Sequence, residues 1–314
     1  MVEILGAQSE FGQETEELEF NLENIRKIFN SSMREVDEEA IESQSGVWKQ
    51  SAVLIEKQNG INETENFTPT EKIALSLLID ARRAVLREVK RGVLWRRHNE
   101  HNPVENENKI LEDLKLSDAV WQGRLSQFLW ENLDRPWVER FAENYWGTLE
   151  HYNDLYHSKI ELPSILRNGV LGEVCFASLV QKMNLGLRPH WPSPRQDVED
   201  KIDLFLILPG RVLVCQIKTV NYISQPSAEN LSAEEADGET DRDKLVQAAR
   251  RLESKDPHQR KFIPMWIDMS TGGIEEGVNL LTGKPKEWYT REALESRKFG
   301  QILKASMEGE KQRL

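Results

Sequence analysis

Residues 202–219, IDLFLILPGRVLVCQIKT, read as an apolar β-hairpin carrying polar side chains that an ordinary buried hairpin would lack. On its first arm Ile202, Leu204, Leu206 and Leu208 alternate with Asp203, Phe205 and Ile207, so the strand is expected to be buried on both faces. Pro209-Gly210 supplies the turn. Side chains repeat every second residue along a strand. The second arm therefore sets Val212, Val214, Gln216 and Lys218 on one face, and Leu213, Cys215, Ile217 and Thr219 on the other. A buried carboxylate or ammonium costs several kcal/mol unless it is paired or binds a metal, so Asp203, Gln216 and Lys218 mark a polar site. The alternative is a cross-strand ion pair between Asp203 and Lys218 that sets the hairpin register.

Working outward, LPSILRNGVLGEVCFASLVQKMN (162–184) has helical spacing, with Val170, Val174, Ala177 and Met183 near one stripe and a lone acid, Glu173, inside the apolar run. A helix with an acid, a strand with an acid, and a paired strand with Gln-x-Lys follow one another. In this order the chain resembles the PD-(D/E)XK nuclease superfamily, the restriction-endonuclease-like fold, in the QxK variant similar to Mrr-type and TnsA-like nucleases. The resemblance spans roughly Pro163 to Met269, about a third of the chain. It implies Glu173 as the helix acid, Asp203 as the metal-binding aspartate, Gln216 as the second-strand ligand, Lys218 as the catalytic lysine and the Ile217 backbone carbonyl as a further metal ligand. The proline of the family's name is absent, since Lys201-Ile202 precede the aspartate. The implied cofactor is Mg²⁺ (or Mn²⁺), because hard divalent cations on oxygen ligands activate water and clamp phosphate charge.

Downstream, Asn221 to Asp243 is rich in Ser, Ala and acids and is expected to be a flap near the site or a solvated loop. Lys244 to Glu253 reads as a helix, and the resemblance makes Gln247 and Arg251 weak contacts to nucleic acid. Lys261 to Met269 reads as a strand in which Pro264 suggests an edge or a bulge. A final helix is expected over Thr290 to Met307.

The N-terminal half is organised differently. Residues 1–66 hold fifteen acids and five bases, most of the chain's net charge of −12. This stretch offers a helix over Leu18 to Phe29 and a short strand over Ala52 to Ile55, and is either a partner-binding or groove-shielding arm or a solvated segment. Thr68-Pro69-Thr70-Glu71 then forms a capping box with proline at the first helical position. The helix it starts carries Arg82, Arg83, Arg87, Lys90, Arg91, Arg96 and Arg97 against one acid, Glu88, within residues 82–97. That cluster is either a phosphate-backbone surface or a set of ion pairs to the acidic segment. From Ser117 to His157 comes a helical block broken at Asp134-Arg135-Pro136, whose Trp121, Trp130, Trp137 and Trp146 are expected in the core.

With 39% hydrophobic and 30% charged residues over 314 positions, the chain suits a globular protein with ample core. The expected architecture is α+β: an acidic segment (1–66), a helical region with the basic helix (67–159), and a nuclease-like mixed sheet flanked by helices (160–314). Cys175 and Cys215 read as buried thiols in a reducing compartment; no leader or membrane span is evident, and a cytoplasmic location follows. The expected function is metal-dependent DNA cleavage, in genome defence or mobile-element processing, with RNA the lesser candidate. A homodimer or partner protein is expected if both strands are cut. The alternative is a nuclease-fold subunit that binds DNA or assembles without cutting, a reading that the acidic pI near 5.2 favours.

Overall fold

The computed structural model describes residues 20–37, 44–61, 67–100, 106–156, 162–183, 187–221, 223, 225–231 and 240–308. Five helices come first: α1 (Leu22–Asp37), α2 (Gln44–Gly60), α3 (Pro69–Asn99), α4 (Glu107–Glu131) and α5 (Val138–Leu155). The described part of the acidic segment is thus helical and packed. Ile25, Phe29, Met33 and Leu54 join the core of α3, α4 and α5, and the strand expected at Ala52 to Ile55 is the middle of α2. The four apolar residues in a row at 52–55 fit either element; length decides for the helix. Both bonds of the Thr68–Glu71 capping box are present. Trp121 and Trp146 are buried, Phe20 stacks on Trp137, and Trp130 is partly buried against Trp191, so the tryptophans are structural.

Helix α6 (Leu162–Lys182) joins the two halves. Residues 170–180 are buried without a break, because Val170 and Val174 enter the helical core while Leu171, Cys175 and Phe176 enter the core over the sheet. A helix apolar all round is one enclosed on all sides. The sheet follows: β1 (Pro189–His190), β2 (Leu204–Leu208), β3 (Arg211–Val220), β4 (Ser227–Asn230) and β5 (Lys261–Ser270), in spatial order β1-β2-β3-β5-β4. β2 is antiparallel to β1 and β3, β3 runs parallel to β5, and β4 closes the edge antiparallel to β5. The parallel pair is joined through α8 (Asp241–Lys255), and a short helix, α7 (Pro194–Asp200), precedes β2.

The hairpin forms as its alternation requires. Gly210 takes φ +75° in the Pro-Gly turn, which suits glycine. Leu213, Cys215 and Ile217 face the core under α6, while Val212 and Val214 face Leu245 and Ala248 of α8. This makes a mixed α/β layer arrangement, with helices on both faces of the sheet and a helical region ahead of it.

Three expectations are corrected. The loop over 221–243 contains β4, whose Glu229 pairs with Arg242; residues 222, 224 and 232–239 of that stretch lie outside the described residues. Pro264 sits in an interior strand opposite Val214. Its carbonyl accepts from Leu231 N–H, so its missing N–H falls on the same side, just past the end of the β4 pairing at Asn230↔Met265. The final helix is two, α10 (Glu287–Glu295) and α11 (Gly300–Glu308), after a short α9 (Thr271–Gly277). The break lets the Lys298 carbonyl accept from Ala228 N–H at the β4 edge.

Candidate active site

The site is built where β2 begins. Asp203 lies one residue before β2 proper, and its N–H donates to the carbonyl of Cys215, the residue paired with Leu204, at 2.9 Å. The cross-strand Asp203–Lys218 ion pair is not formed: Asp203 accepts from Gln216 Nε2 at 2.8 Å and from Ile217 N–H at 2.5 Å, both at Oδ2, while Lys218 reaches Asp241. Along β3 the N–H and carbonyl of one residue leave on the same side. The Ile217 carbonyl thus leaves β3 on the Asp203 side. Gln216 is buried, and its Oε1 has no hydrogen-bond partner.

Glu173 reaches this place from α6. Its neighbour Gly172 permits the approach: a Cβ there would stand 2.7 Å from Thr219 Oγ1 on β3, and that hydroxyl donates to the Asn168 carbonyl at 3.0 Å. Glu173 is 6% exposed and accepts from Gln122 Nε2 at 2.6 Å. The Ser126 hydroxyl, one turn further along α4, lies near enough to favour the anion but outside hydrogen-bond geometry. Burial first, then the proximity of Asp203, pushes the Glu173 carboxyl far up from its ordinary range. Burial and then Asp197 push Asp203 up likewise, against the opposing Ile217 N–H bond. Asp197, on α7, is itself raised to about 6, chiefly by burial, with Lys201 and Lys218 opposing.

Lys218 projects from the Gln216 face with 38% of its side chain exposed. Its Nζ is 3.8 Å from Asp241 Oδ2 and 5.9 Å from the Trp266 ring centroid. Lys201 reaches the same Asp241 at 3.9 Å. The structure thus bonds Asp203 to Gln216 and Ile217 and sets Glu173 near enough for the two carboxylates to repel, with Lys218 close enough to Asp203 and Asp197 to stabilise their anions. Gln122, Ser126, Asp197 and Asp241 belong to the same neighbourhood and were not singled out from the sequence. Ser193-Pro194-Arg195-Gln196, a capping box with proline at the first helical position, was the available sign of α7 and of Asp197 upon it.

Several other candidates lie elsewhere. Arg251 is bonded to Asp200 at 2.6 Å, tying α8 to α7, and Gln247 is exposed on α8; neither meets the gathered residues. The cations of α3 do not form one exposed stripe, because α1, α2, α4 and α5 surround that helix. Arg82 is fully buried, donating to Tyr156 and lying over the Tyr152 ring, while Lys90 and Arg87 are also buried. Arg87 and Arg91 pair with Asp118, Arg91 also with Glu88, and Arg83 with Asp80. Arg96 is exposed near the end of the helix and Arg97 half-buried.

The donor set suits a hard cation: two carboxylates, an amide oxygen with no partner and a carbonyl. Among the described residues no three His, Cys, Asp or Glu side chains are gathered closely enough to hold a metal by themselves. No helix among them is long and apolar enough to cross a membrane. No family model, curated protein or solved structure matches the chain.

Proposed function

We propose that the chain is a divalent-metal-dependent nuclease of the restriction-endonuclease-like type that hydrolyses DNA phosphodiester bonds. The observation that carries this reading is the mutual repulsion of the buried Glu173 and Asp203 carboxylates, with Gln216 bonded to Asp203 through Nε2 and leaving its Oε1 unpartnered, and a partly exposed ammonium, Lys218, nearby. Buried carboxylates held above their ordinary pKa, with Lys218 compensating Asp203 only in part, are an unfavourable arrangement that a bound dication relieves. Asp203, Glu173, Gln216 Oε1 and the Ile217 carbonyl would hold Mg²⁺ or Mn²⁺, which supplies Lewis acidity toward water and the phosphate oxygens.

The chain's own groups do the rest. Gln122 fixes the Glu173 carboxylate, and Gln216 Nε2 fixes Asp203 through Oδ2. Lys218 stands where it can hold the attacking water or the charge that develops on phosphorus-bound oxygen. Asp241 holds Lys218 in the absence of substrate, at a distance weak enough to exchange for a phosphate.

Plasmid cleavage in Mn²⁺ tests the reading. Lys218→Ala is expected to slow cleavage about 100-fold or more with the fold retained, since Lys218 is partly exposed. A variant as fast as the parent overturns the reading. The second reading, a subunit that binds without cutting, draws on Asp203 being bonded inward to β3. It is favoured if Mn²⁺ gives no binding heat that Asp203→Ala abolishes.

A further inference from the structure

Away from the carboxylates, α2, α3 and α4 enclose an open cavity of about 670 Å³, a size typical of small-molecule sites. One wall is cationic. Arg83, Arg87 and Arg124 line it together with a single acid, Asp80. That acid is already engaged: Arg83 lies 3.0 Å from Oδ1, Gln58 donates to Oδ2 at 2.9 Å, and Arg124 stands 3.8 Å away. Arg87 spends its Nε on Asp118, which Arg91 shares, and its Nη2 is buried with no hydrogen-bond partner although the side chain is only about 5% exposed.

Positive charge is therefore in excess. Burial, together with the nearness of Arg87 and Arg124, holds Arg83 below its ordinary pKa, and burial with Arg83 and Arg87 nearby brings Lys90 down to about 8. The lining also holds apolar side chains: Ile73 and Val120, two of the exposed large hydrophobics at 40% and 38%, and the buried Phe67. Ser117, Val120, Trp121 and Arg124 line the cavity at the three- and four-residue steps of one α4 face.

We propose that this cavity binds a small phosphate monoester of nucleotide size, its phosphate received by Arg83, Arg87 and Arg124 and its apolar body by Phe67, Ile73 and Val120. Guanidinium forks match phosphate oxygens in pairs, and three of them, with Asp80 the one acid among the described lining residues and Asp118 outside the lining holding Arg87, call for a dianion better than for a monocarboxylate. The monoester comes from a free nucleotide or from the 5′ end of a nucleic-acid strand. The site does not depend on the nuclease reading, since its residues are separate from Glu173, Asp203 and Lys218.

Calorimetric titration of the full chain with AMP, adenosine and a tetranucleotide with either a 5′-phosphate or a 5′-hydroxyl tests it. AMP is expected to bind saturably, about tenfold or more weakly in Arg124→Ala, and unchanged in Lys218→Ala; adenosine is expected not to bind. Arg124 is 42% exposed, so its variant keeps the fold. A 5′-phosphorylated tetranucleotide binding tighter than AMP identifies a strand end as the source, and the reverse identifies a free nucleotide. The proposal is overturned if AMP gives no saturable heat, if AMP and adenosine bind alike, if the 5′-hydroxyl strand binds as tightly as AMP, or if Arg124→Ala binds AMP as the parent does.

Discussion

Glu173→Gln is expected to stabilise the metal-free protein at alkaline pH. In the folded chain the Glu173 carboxyl titrates at about 8 in place of the usual 4.5. A raised carboxylate favours folding while it is protonated. Its cost begins as the pH passes the unfolded value, grows up to the folded value and then stays constant. Each tenfold change in the proton equilibrium is worth about 1.36 kcal/mol, so the ionised side chain costs on the order of 2–4 kcal/mol at pH 8 once its coupling to Asp203 is shared out. Glutamine keeps an oxygen to accept from Gln122 Nε2 and carries no charge against Asp203 and Asp197. At about 2 °C per kcal/mol for a chain of this size, Tm should rise by about 4–8 °C at pH 8 and change little at pH 5. Thermal denaturation in chelator at both pH values measures this. Millimolar Mn²⁺ should then raise the parent's Tm and leave the variant nearly unmoved. A variant no more stable than the parent at pH 8 refutes the claim that Glu173 sits among uncompensated negative charge.

Mn²⁺ affinity should tighten as pH rises from 6 to 8, because the Asp203 and Glu173 carboxyls must lose protons to bind and both are raised well above the ordinary carboxylate range; calorimetry showing a flat profile contradicts this. Gly172→Ala should cost about 1–3 kcal/mol in urea unfolding and weaken Mn²⁺ binding, since the new methyl meets Thr219 Oγ1. Adding Thr219→Ala should restore much of both, and no rescue would place the clash elsewhere. Arg82→Ala should destabilise by about 2–5 kcal/mol, because it empties a fully buried site and leaves the Tyr156 hydroxyl short of a partner. A stable variant with weakened DNA retention would instead place Arg82 on a binding surface.

The hairpin was legible because period-two alternation and a Pro-Gly turn act locally. The Thr68–Glu71 cap was legible for the same reason. The site needed more. That Asp203 faces Gln216 and not Lys218 depends on where the ladder starts, and a carboxylate one residue before β2 looks the same in sequence as one within it. Gln122 and Ser126 lie about fifty residues before Glu173 and meet it only because α4 packs on α6, a tertiary fact with no local signature. The basic run of α3 misled for a related reason. Charge density in one dimension resembles a binding surface, while α1, α2, α4 and α5 cover much of that helix, α4 brings Asp118, and the helix's own Asp80 and Glu88 take up Arg83 and Arg91. Pro264 pointed to an edge correctly for one side of its strand only.

Anomalous scattering from crystals grown in Mn²⁺ addresses the site most directly. One Mn²⁺ is expected between the Asp203 and Glu173 carboxylates, in contact with the Ile217 carbonyl, with none there in Asp203→Ala. Density showing no ion at that place, and Asp203 still bonded only to Gln216 and the Ile217 N–H, would contradict a metal-dependent nuclease.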